Sequence, residues 1–373
     1  MHVAFLTDVA LPYVSGVTVA VRAQADALIA AGTTVTVVGP RGDVDLPQPD
    51  AQVPGAPRGY RVALFSPRLP ASLRARGVGL VHAHSVFGAS WAALSAARAL
   101  RVPLVVTVHT RFDEYAHYTK AVAPLARALL TPYVGAVTAS ADVVIAPSRA
   151  FAEELAEMHL PRSLRVVPAP VAEALAGGDA ARGRAALDVG RSVPLVLSVS
   201  RLAREKRVLD LVEMLAASRH RDAVLAFAGQ GPLDVKIAAV AERAGVSARI
   251  RMAGQLEPAA LADALAAADI VASASRSETQ GLALCEAAAA GRAIVAPDRG
   301  GYAEVLRHGE GGMFPGAAPS ARELAECLDA LLDDAARRGA MAALARERAR
   351  AWTPHAVAEG LFAAYAEAAL MRE

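Results

Sequence analysis

Short apolar runs alternate with helix-patterned segments along almost the whole chain, and nothing else constrains the fold as much. Val3–Leu6, Val35–Val38, Val78–Ala83, Leu104–Val108, Val143–Ala146 and Arg165–Val167 read as strands. Thr18–Ala31, Trp91–Leu100, Ala123–Ser140 and Arg149–Met158 read as the helices between them. Residues 41–60 are rich in Pro, Gly and Asp and read as a loop, with a short strand at Tyr60–Leu64. Pro168, Pro170 and Gly177-Gly178 break the regularity, which places a linker over residues 168–192. A second alternating set follows. Its strands are Leu195–Val199, Val224–Ala228, Ile250–Met252, Ile270–Ala274 and Ala293–Ala296, and the tail from Ala321 is helical with a break near Thr353-Pro354. Such alternation predicts a parallel sheet with helices on both faces. Two sets of it in 373 residues predict an α/β protein of two Rossmann-like, doubly wound domains. Ligands in such sheets bind beyond the carboxyl ends of the strands, so the expected site is a cleft between the domains, lined by residues that follow strands.

Bulk properties exclude several classes. Apolar residues make up 54% of the chain and charged residues 20%, a globular composition. A net charge of +2 with no long basic run argues against nucleic acid as a partner. The two cysteines, Cys285 and Cys327, form no CxxC pair, so neither a disulfide framework nor a zinc site is expected, and a reduced, cytoplasmic location fits. The N-terminus lacks a basic n-region, meets Asp8 early and reads as a first strand. The long stretch without Asp, Glu, Lys or Arg, Gly77 to Ala97, is interrupted by His82, His84, Ser85 and Gly88 and reads as strand, loop and helix.

Four segments at strand ends carry candidate chemistry. In the first, Ser277–Glu286 follows the strand at Ile270–Ala274 and opens an alanine-rich helix near Gly281. Free N–H groups at Gly281 and Leu282, with the helix dipole, favour an anion such as a diphosphate. Glu278 sits in the loop, and Glu286 lies about a turn inside the helix, where a carboxylate can accept both hydroxyls of a ribose. Read alone, the two glutamates are a helix-start charge and a solvated face residue. In the second, Arg201 and Lys206 follow Leu195–Val199 and can neutralise a diphosphate in place of a metal, or serve as ordinary surface charge. In the third, Gly16 in the first strand-to-helix loop allows close backbone approach to a phosphate or sugar, although Pro12–Val17 is not a GxGxxG fingerprint. In the fourth, His109 ends a strand, where a neutral imidazole can hydrogen-bond a sugar hydroxyl; His82 and His84 also end a strand. Neither a Ser-His-Asp arrangement, nor a metal-ligand cluster, nor a GxxxxGK[ST] loop is visible in the sequence.

In order and spacing the four segments together resemble the retaining glycosyltransferases of family 4, which have the GT-B fold. Glu278 to Glu286 looks like that family's EX7E motif, and Ser200-Arg201-Leu202 with Glu205-Lys206 looks like its phosphate-binding segment. Gly229-Gln230-Gly231 and Gly300-Gly301 with Glu304 also match. The resemblance implies an N-terminal acceptor domain over residues 1–172 and a donor domain over 173–353, with a last helix, 354–373, crossing back to the first domain and Trp352 anchoring it. It implies that Arg201 and Lys206 hold the donor diphosphate, that Glu278 contacts the sugar and Glu286 the ribose, and that Gly16 and His109 contact the donor from the first domain. No metal or other cofactor is implied. Thr7-Asp8, Pro12, Gly16, His109-Thr110, Glu114-Tyr115 and His117-Tyr118 look most like the branch that glycosylates diacylglycerol or related lipids. The expected partners are a UDP-hexose donor, glucose or galactose, and a lipid or glycan acceptor. A GDP-mannose-dependent mannosyltransferase is the alternative. A phosphorylase or epimerase on the same fold, or a non-catalytic nucleotide-sugar binder, stands outside that class. Arg68, Arg74 and Arg76, near Leu69 and Leu73, are expected either to touch an anionic membrane surface at the inner face of the membrane or to lie on a solvated helix. The chain departs from the family at Val167–Ala172, where an Asn-Gly-[Val/Ile]-Asp segment is common, and at Ser15-Gly16, where a glycine pair is common.

Overall fold

A computed structural model describes residues 1–52, 59–110, 132–158, 162–305 and 309–372. The chain forms two compact units, residues 1–170 with 354–373, and residues 171–353. Arg111–Tyr115, His117, Tyr118 and the first part of the helix expected over Ala123–Ser140 lie outside the described residues.

The strands, in chain order, are β1 (His2–Leu6), β2 (Thr34–Gly39), β3 (Leu46–Pro47), β4 (Asp50–Gln52), β5 (Arg61–Ala63), β6 (Leu80–Ala83), β7 (Leu104–Thr107), β8 (Val143–Ala146) and β9 (Leu164–Val166) in the first unit. The second unit holds β10 (Leu195–Val199), β11 (Val224–Ala228), β12 (Ile250–Gly254), β13 (Ile270–Ala272), β14 (Ala293–Val295) and β15 (Gly312–Met313). The first sheet runs β3-β2-β1-β6-β7-β8-β9 and the second β12-β11-β10-β13-β14-β15, each parallel throughout. Each is doubly wound, as the alternation of apolar runs and helices requires. In both, the chain moves outward on one side and then returns to the centre to build the other. The topological switch therefore falls between β1 and β6 in the first sheet, and between β10 and β13 in the second.

Burial of both faces explains why the strands read as nearly continuous apolar runs. Val3 and Phe5 of β1 face one cluster, with Leu28, Val105, Ile145 and Leu361, while Ala4 and Leu6 face another, with Leu73, Val81 and Phe151. In the second unit Leu195 and Leu197 point to one side, and Val196, Leu225 and Phe227 to the other. The last helix, Pro354–Leu370, buries Val357, Leu361 and Tyr365 in the first unit's core. Trp352 itself belongs to the second unit. It lies in the core of the second unit, where its carbonyl accepts the Val171 N–H at 2.8 Å.

Residues 41–52 are more ordered than their composition suggests. β3 extends the edge of the sheet beside β2, where Pro47 is tolerated because an edge strand need not donate on both sides. β4 and β5 form an antiparallel pair. Arg61 and Arg41 clamp Asp50 and hold its carboxyl at about 2. Such two- and three-residue strands are set by tertiary pairing rather than by local pattern. The Leu69–Ala75 helix buries Leu69 and Leu73 almost completely, while Arg74 and Arg76 donate to the carbonyls of Ala99 and Ser72. The two leucines therefore belong to the core and offer nothing to a membrane. Among the described residues no helix is long and apolar enough to cross a membrane.

Candidate active site

In the second unit the site is built on the two strands that flank the switch point. After β10, Leu202 is fully buried and pins the loop to the core. Its N–H donates to the Gln230 carbonyl and its own carbonyl accepts from Leu233 N–H, both at 3.0 Å. A Cβ on Gly231 would lie 2.4 Å from the Leu202 carbonyl oxygen, and one on Gly229 would lie 1.9 Å from that of Ser200. The glycines of this segment therefore let the β11 loop press against the loop that carries Arg201. A short 3₁₀ turn, Arg204–Lys206, then presents Lys206. Arg201 pairs with Glu205, which is itself buried and holds the guanidinium in place.

After β13 the loop brings Glu278 to Lys206, with Nζ–Oε1 at 2.5 Å; the two side chains are only 19% and 15% exposed. The Ser275 hydroxyl donates to the same oxygen at 2.6 Å. Burial pushes the Glu278 carboxyl up, but Lys206, the Ser275 hydroxyl and Arg201 outweigh it, so the carboxyl sits below its ordinary range and stays ionised. The loop is braced from behind by Tyr302, whose hydroxyl lies 2.9 Å from the Ser273 hydroxyl. Gly301 N–H donates to the Glu278 carbonyl at 3.0 Å. A Cβ on Gly301 would lie 2.5 Å from the Gln280 backbone.

Gly281 is the N-cap of the Leu282–Ala289 helix, in the left-handed region at φ 89°, and no side chain caps that helix. A Cβ there would meet the Tyr302 ring at 2.2 Å. Glycine is needed twice over, for backbone conformation and for space. Leu282 is the first helical residue and half-buried, so its N–H lies at the dipole's positive end. Glu286 is half-buried, and among the described residues its carboxylate has no hydrogen-bond or ion-pair partner. Burial alone raises it to about 7. The Glu286 carboxylate is thus half-buried without being sealed from solvent, and it is open to a ligand.

The first unit holds Gly16 and His109. Ser15 caps the Gly16–Ala30 helix through a reciprocal capping box with Thr18, and a Cβ on Gly16 would meet nothing within 4 Å. Neither sterics nor backbone conformation within this unit demands glycine there. His109 is half-buried just beyond β7, and burial pushes it down to about 4. It is not a lone histidine. Its Nε2 lies 3.2 Å from Nδ1 of His84, which follows β6, and the His84 ring lies 4.1 Å from that of His82, tilted by 34°. Asp8, beyond β1, accepts from Ala89 N–H at 2.9 Å and from Ser85, which gives it a structural task at the start of the Gly88–Leu100 helix.

Of the residues expected from sequence, Lys206, Glu278 and Gly281 share one braced loop-to-helix site, with Arg201 contributing charge and Glu286 on the same helix. Sequence reasoning passed over Tyr302 and Ser275 and ranked His84 low. Tyr302 has no local signal, because its partners are Ser273 and Gly281, far back in the chain. Among the described residues no group of three His, Cys, Asp or Glu side chains forms a metal site.

Residues 14–174 match Glycosyltransferase Family 4, and residues 183–348 match Glycosyl transferases group 1. The chain is 31% identical over 331 residues to the GDP-mannose-dependent alpha-mannosyltransferase of Mycolicibacterium smegmatis, covering 82% of each. It is 24% identical over 336 residues to the alpha-monoglucosyldiacylglycerol synthase of Acholeplasma laidlawii, covering 84% of each. Its fold matches Anabaena HepE, solved in complex with UDP-glucose, at a TM-score of 0.77 and 19% identity over 97% of this chain and 98% of that one. With two doubly wound sheets and these matches along most of its length, the chain belongs to glycosyltransferase family 4 and is a glycosyltransferase of the GT-B fold.

Proposed function

We propose that this glycosyltransferase moves a hexose from a UDP-sugar, glucose or galactose, to a hydroxyl of a lipid such as diacylglycerol or a glycolipid, with retention at the anomeric carbon. The observation that carries the donor reading is the ionised Lys206–Glu278 pair beside an uncapped helix start, with Glu286 unpaired on the same helix. Lys206 has three donors, so it can keep Glu278 and still face phosphate oxygens. Arg201, held by Glu205, adds a second positive charge. These charges stabilise the diphosphate as it departs, the task a metal performs elsewhere, and the proposal needs no metal. Glu286 accepts from the ribose hydroxyls and Glu278 contacts the sugar. Gly16 leaves room for the donor at the first helix, and His109 contacts the sugar. The departing phosphate takes the proton of the acceptor hydroxyl on the same face of the sugar.

The lipid acceptor rests on similarity to alpha-monoglucosyldiacylglycerol synthases at 24% and 27% identity. The higher identity to a GDP-mannose-dependent mannosyltransferase favours a second reading, mannosyl transfer from GDP-mannose. A thermal-shift panel of UDP-, GDP- and ADP-sugars decides between them, followed by acceptor screening with the best donor. The proposal expects the largest shift from UDP-glucose or UDP-galactose and product on diacylglycerol or a glycolipid. A dominant shift with GDP-mannose selects the second reading. Binding without transfer to any lipid or sugar acceptor replaces both with a non-catalytic nucleotide-sugar binder.

A further inference from the structure

Behind Glu278 the second unit buries two hydroxyl-bearing side chains, Ser275, fully buried, and Tyr302, 3% exposed. The Ser275 hydroxyl donates to Glu278 Oε1 at 2.6 Å, and the Ser275 N–H donates to the Ser273 hydroxyl oxygen at 3.2 Å. That oxygen lies 2.9 Å from the Tyr302 hydroxyl. Tyr302 belongs to the Gly301–Val305 turn of helix, and the Gly301 N–H beside it holds the Glu278 carbonyl at 3.0 Å. Backbone and side chain of Glu278 are thus approached from the same two segments. Burial, then the Glu278 charge, push the Tyr302 hydroxyl well above the ordinary phenol range, so it keeps its proton.

The Ser273 hydroxyl oxygen accepts from the Ser275 N–H, and among the described residues its other partner is Tyr302. If Tyr302 donated to it, the Ser273 proton would have no acceptor, and the phenol oxygen would turn its lone pairs toward the Glu278 anion. If Ser273 donates to Tyr302, the Tyr302 proton is left to Glu278, which acts on that hydroxyl by charge and, less, by hydrogen bonding. Each hydroxyl proton then has an acceptor, and the chain of bonds ends on a charge. Lys206 also binds Glu278 Oε1, at 2.5 Å, but in the proposed reaction the same ammonium faces the departing diphosphate. We infer that Tyr302 is a positioning residue for transfer. Its hydroxyl joins that of Ser275 in holding the Glu278 carboxylate from the protein interior, so that Glu278 keeps its place and its charge while Lys206 engages the donor. The hold on Glu278 stands on contacts within the second unit; its consequence for transfer rests on the donor reading above.

Tyr302→Phe keeps the ring that supports Gly281 and removes only the hydroxyl. In the intact chain labelled with carboxyl-13C glutamate, with Glu278→Gln identifying the signal, Glu278 should titrate at higher pH in Tyr302→Phe than in wild type, and higher again when Ser275→Ala is added. The other groups that act on this carboxylate, Lys206, Arg201 and the Cys285 thiol that burial keeps neutral, are unchanged in both variants. In transfer assays with the best donor, Tyr302→Phe should lose about tenfold in kcat with little change in donor KM. The acid limb of its rate profile should move up in pH together with the titration. A tyrosine that only props the loop would move neither. An unchanged Glu278 titration in folded Tyr302→Phe overturns the inference. If Tyr302→Phe does not fold, Ser273→Ala decides. A Tyr302 that already donates to Glu278 leaves the titration near wild type, whereas one that donated to Ser273 would be released to Glu278 and lower it, which overturns the inference. A moved titration in a protein that turns over no sugar nucleotide upholds the hold on Glu278 and removes only its role in transfer.

Discussion

Lys206 and Glu278 neutralise one another at 2.5 Å in a largely buried setting, so each is held ready for a ligand by the other. Removing either leaves its partner with an uncompensated charge. Lys206→Ala and Glu278→Ala should each raise the transfer barrier by roughly 2–4 kcal/mol, read from kcat/KM with the best donor. Near-normal rates in both variants would remove the pair from the site. Glu286 behaves differently, because no group in the described structure rewards its charge. Its carboxyl is raised to about 7 from an ordinary 4.5, so the folded state holds a proton that the unfolded chain has already released. The resulting destabilisation is full above about pH 7 and vanishes below about pH 4.5. Glu286→Gln should therefore stabilise the ligand-free second unit at about pH 8, on the order of 1–2 kcal/mol after allowance for partial exposure. The same change should weaken nucleotide-sugar binding, because an amide accepts fewer hydrogen bonds than a carboxylate. Thermal unfolding with and without donor measures both effects, and a variant that binds donor as well as wild type would take Glu286 out of the ribose contact.

At the scale of elements, two helix starts carry glycine for opposite reasons. The Leu282–Ala289 helix begins at a left-handed Gly281 pressed on the Tyr302 ring. Gly281→Ala should cost roughly 2–5 kcal/mol, from left-handed backbone strain and overpacking together, visible as a lowered denaturation midpoint. At Gly16 the helix is already capped by Ser15 and Thr18, and a Cβ has open space. Gly16→Ala should leave stability unchanged or raise it by up to about 1 kcal/mol. If a phosphate or sugar approaches that backbone, the same methyl group should raise donor KM. A Gly16→Ala protein with wild-type kinetics would show that the glycine has no ligand to make room for.

Across the whole molecule the two units store opposite responses to acid. The first unit buries His82, His84 and His109, all lowered from 6.5 chiefly by burial. For these groups the unfolded chain binds protons that the folded state refuses, so the first unit keeps its full stability above about pH 6.5 and loses it as pH falls toward the depressed folded values. In the second unit, protonation of Glu286 over the same window relieves a penalty. Hydrogen exchange corrected for intrinsic rates, compared at about pH 7.5 and about pH 5, should show protection falling in peptides of residues 1–110 and holding in residues 195–305. Equal loss in both halves would mean that the histidine cluster does not govern the acid response.

Much of this was legible in the chain itself, for a physical reason. A doubly wound sheet buries both faces, so its strands must be apolar throughout and its helices must intervene; local pattern therefore reports topology directly. The positions of Arg201, Lys206, Glu278 and Glu286 follow from the same logic, because each lies just beyond a strand or in the helix after it. The short strands β3 and β4 were not legible, since pairing at an edge and not propensity makes them. Nor was the place of Trp352, which packs in the core cluster that also holds Val171 and Leu284. Sequence by itself determined the architecture and the residue types that stand at the strand ends. Only the tertiary structure decided which charge meets which, that Tyr302 supports Gly281 from behind, and that His109 is backed by His84. Those relations join residues tens of positions apart, and packing across a sheet, unlike periodicity along a chain, leaves no local mark.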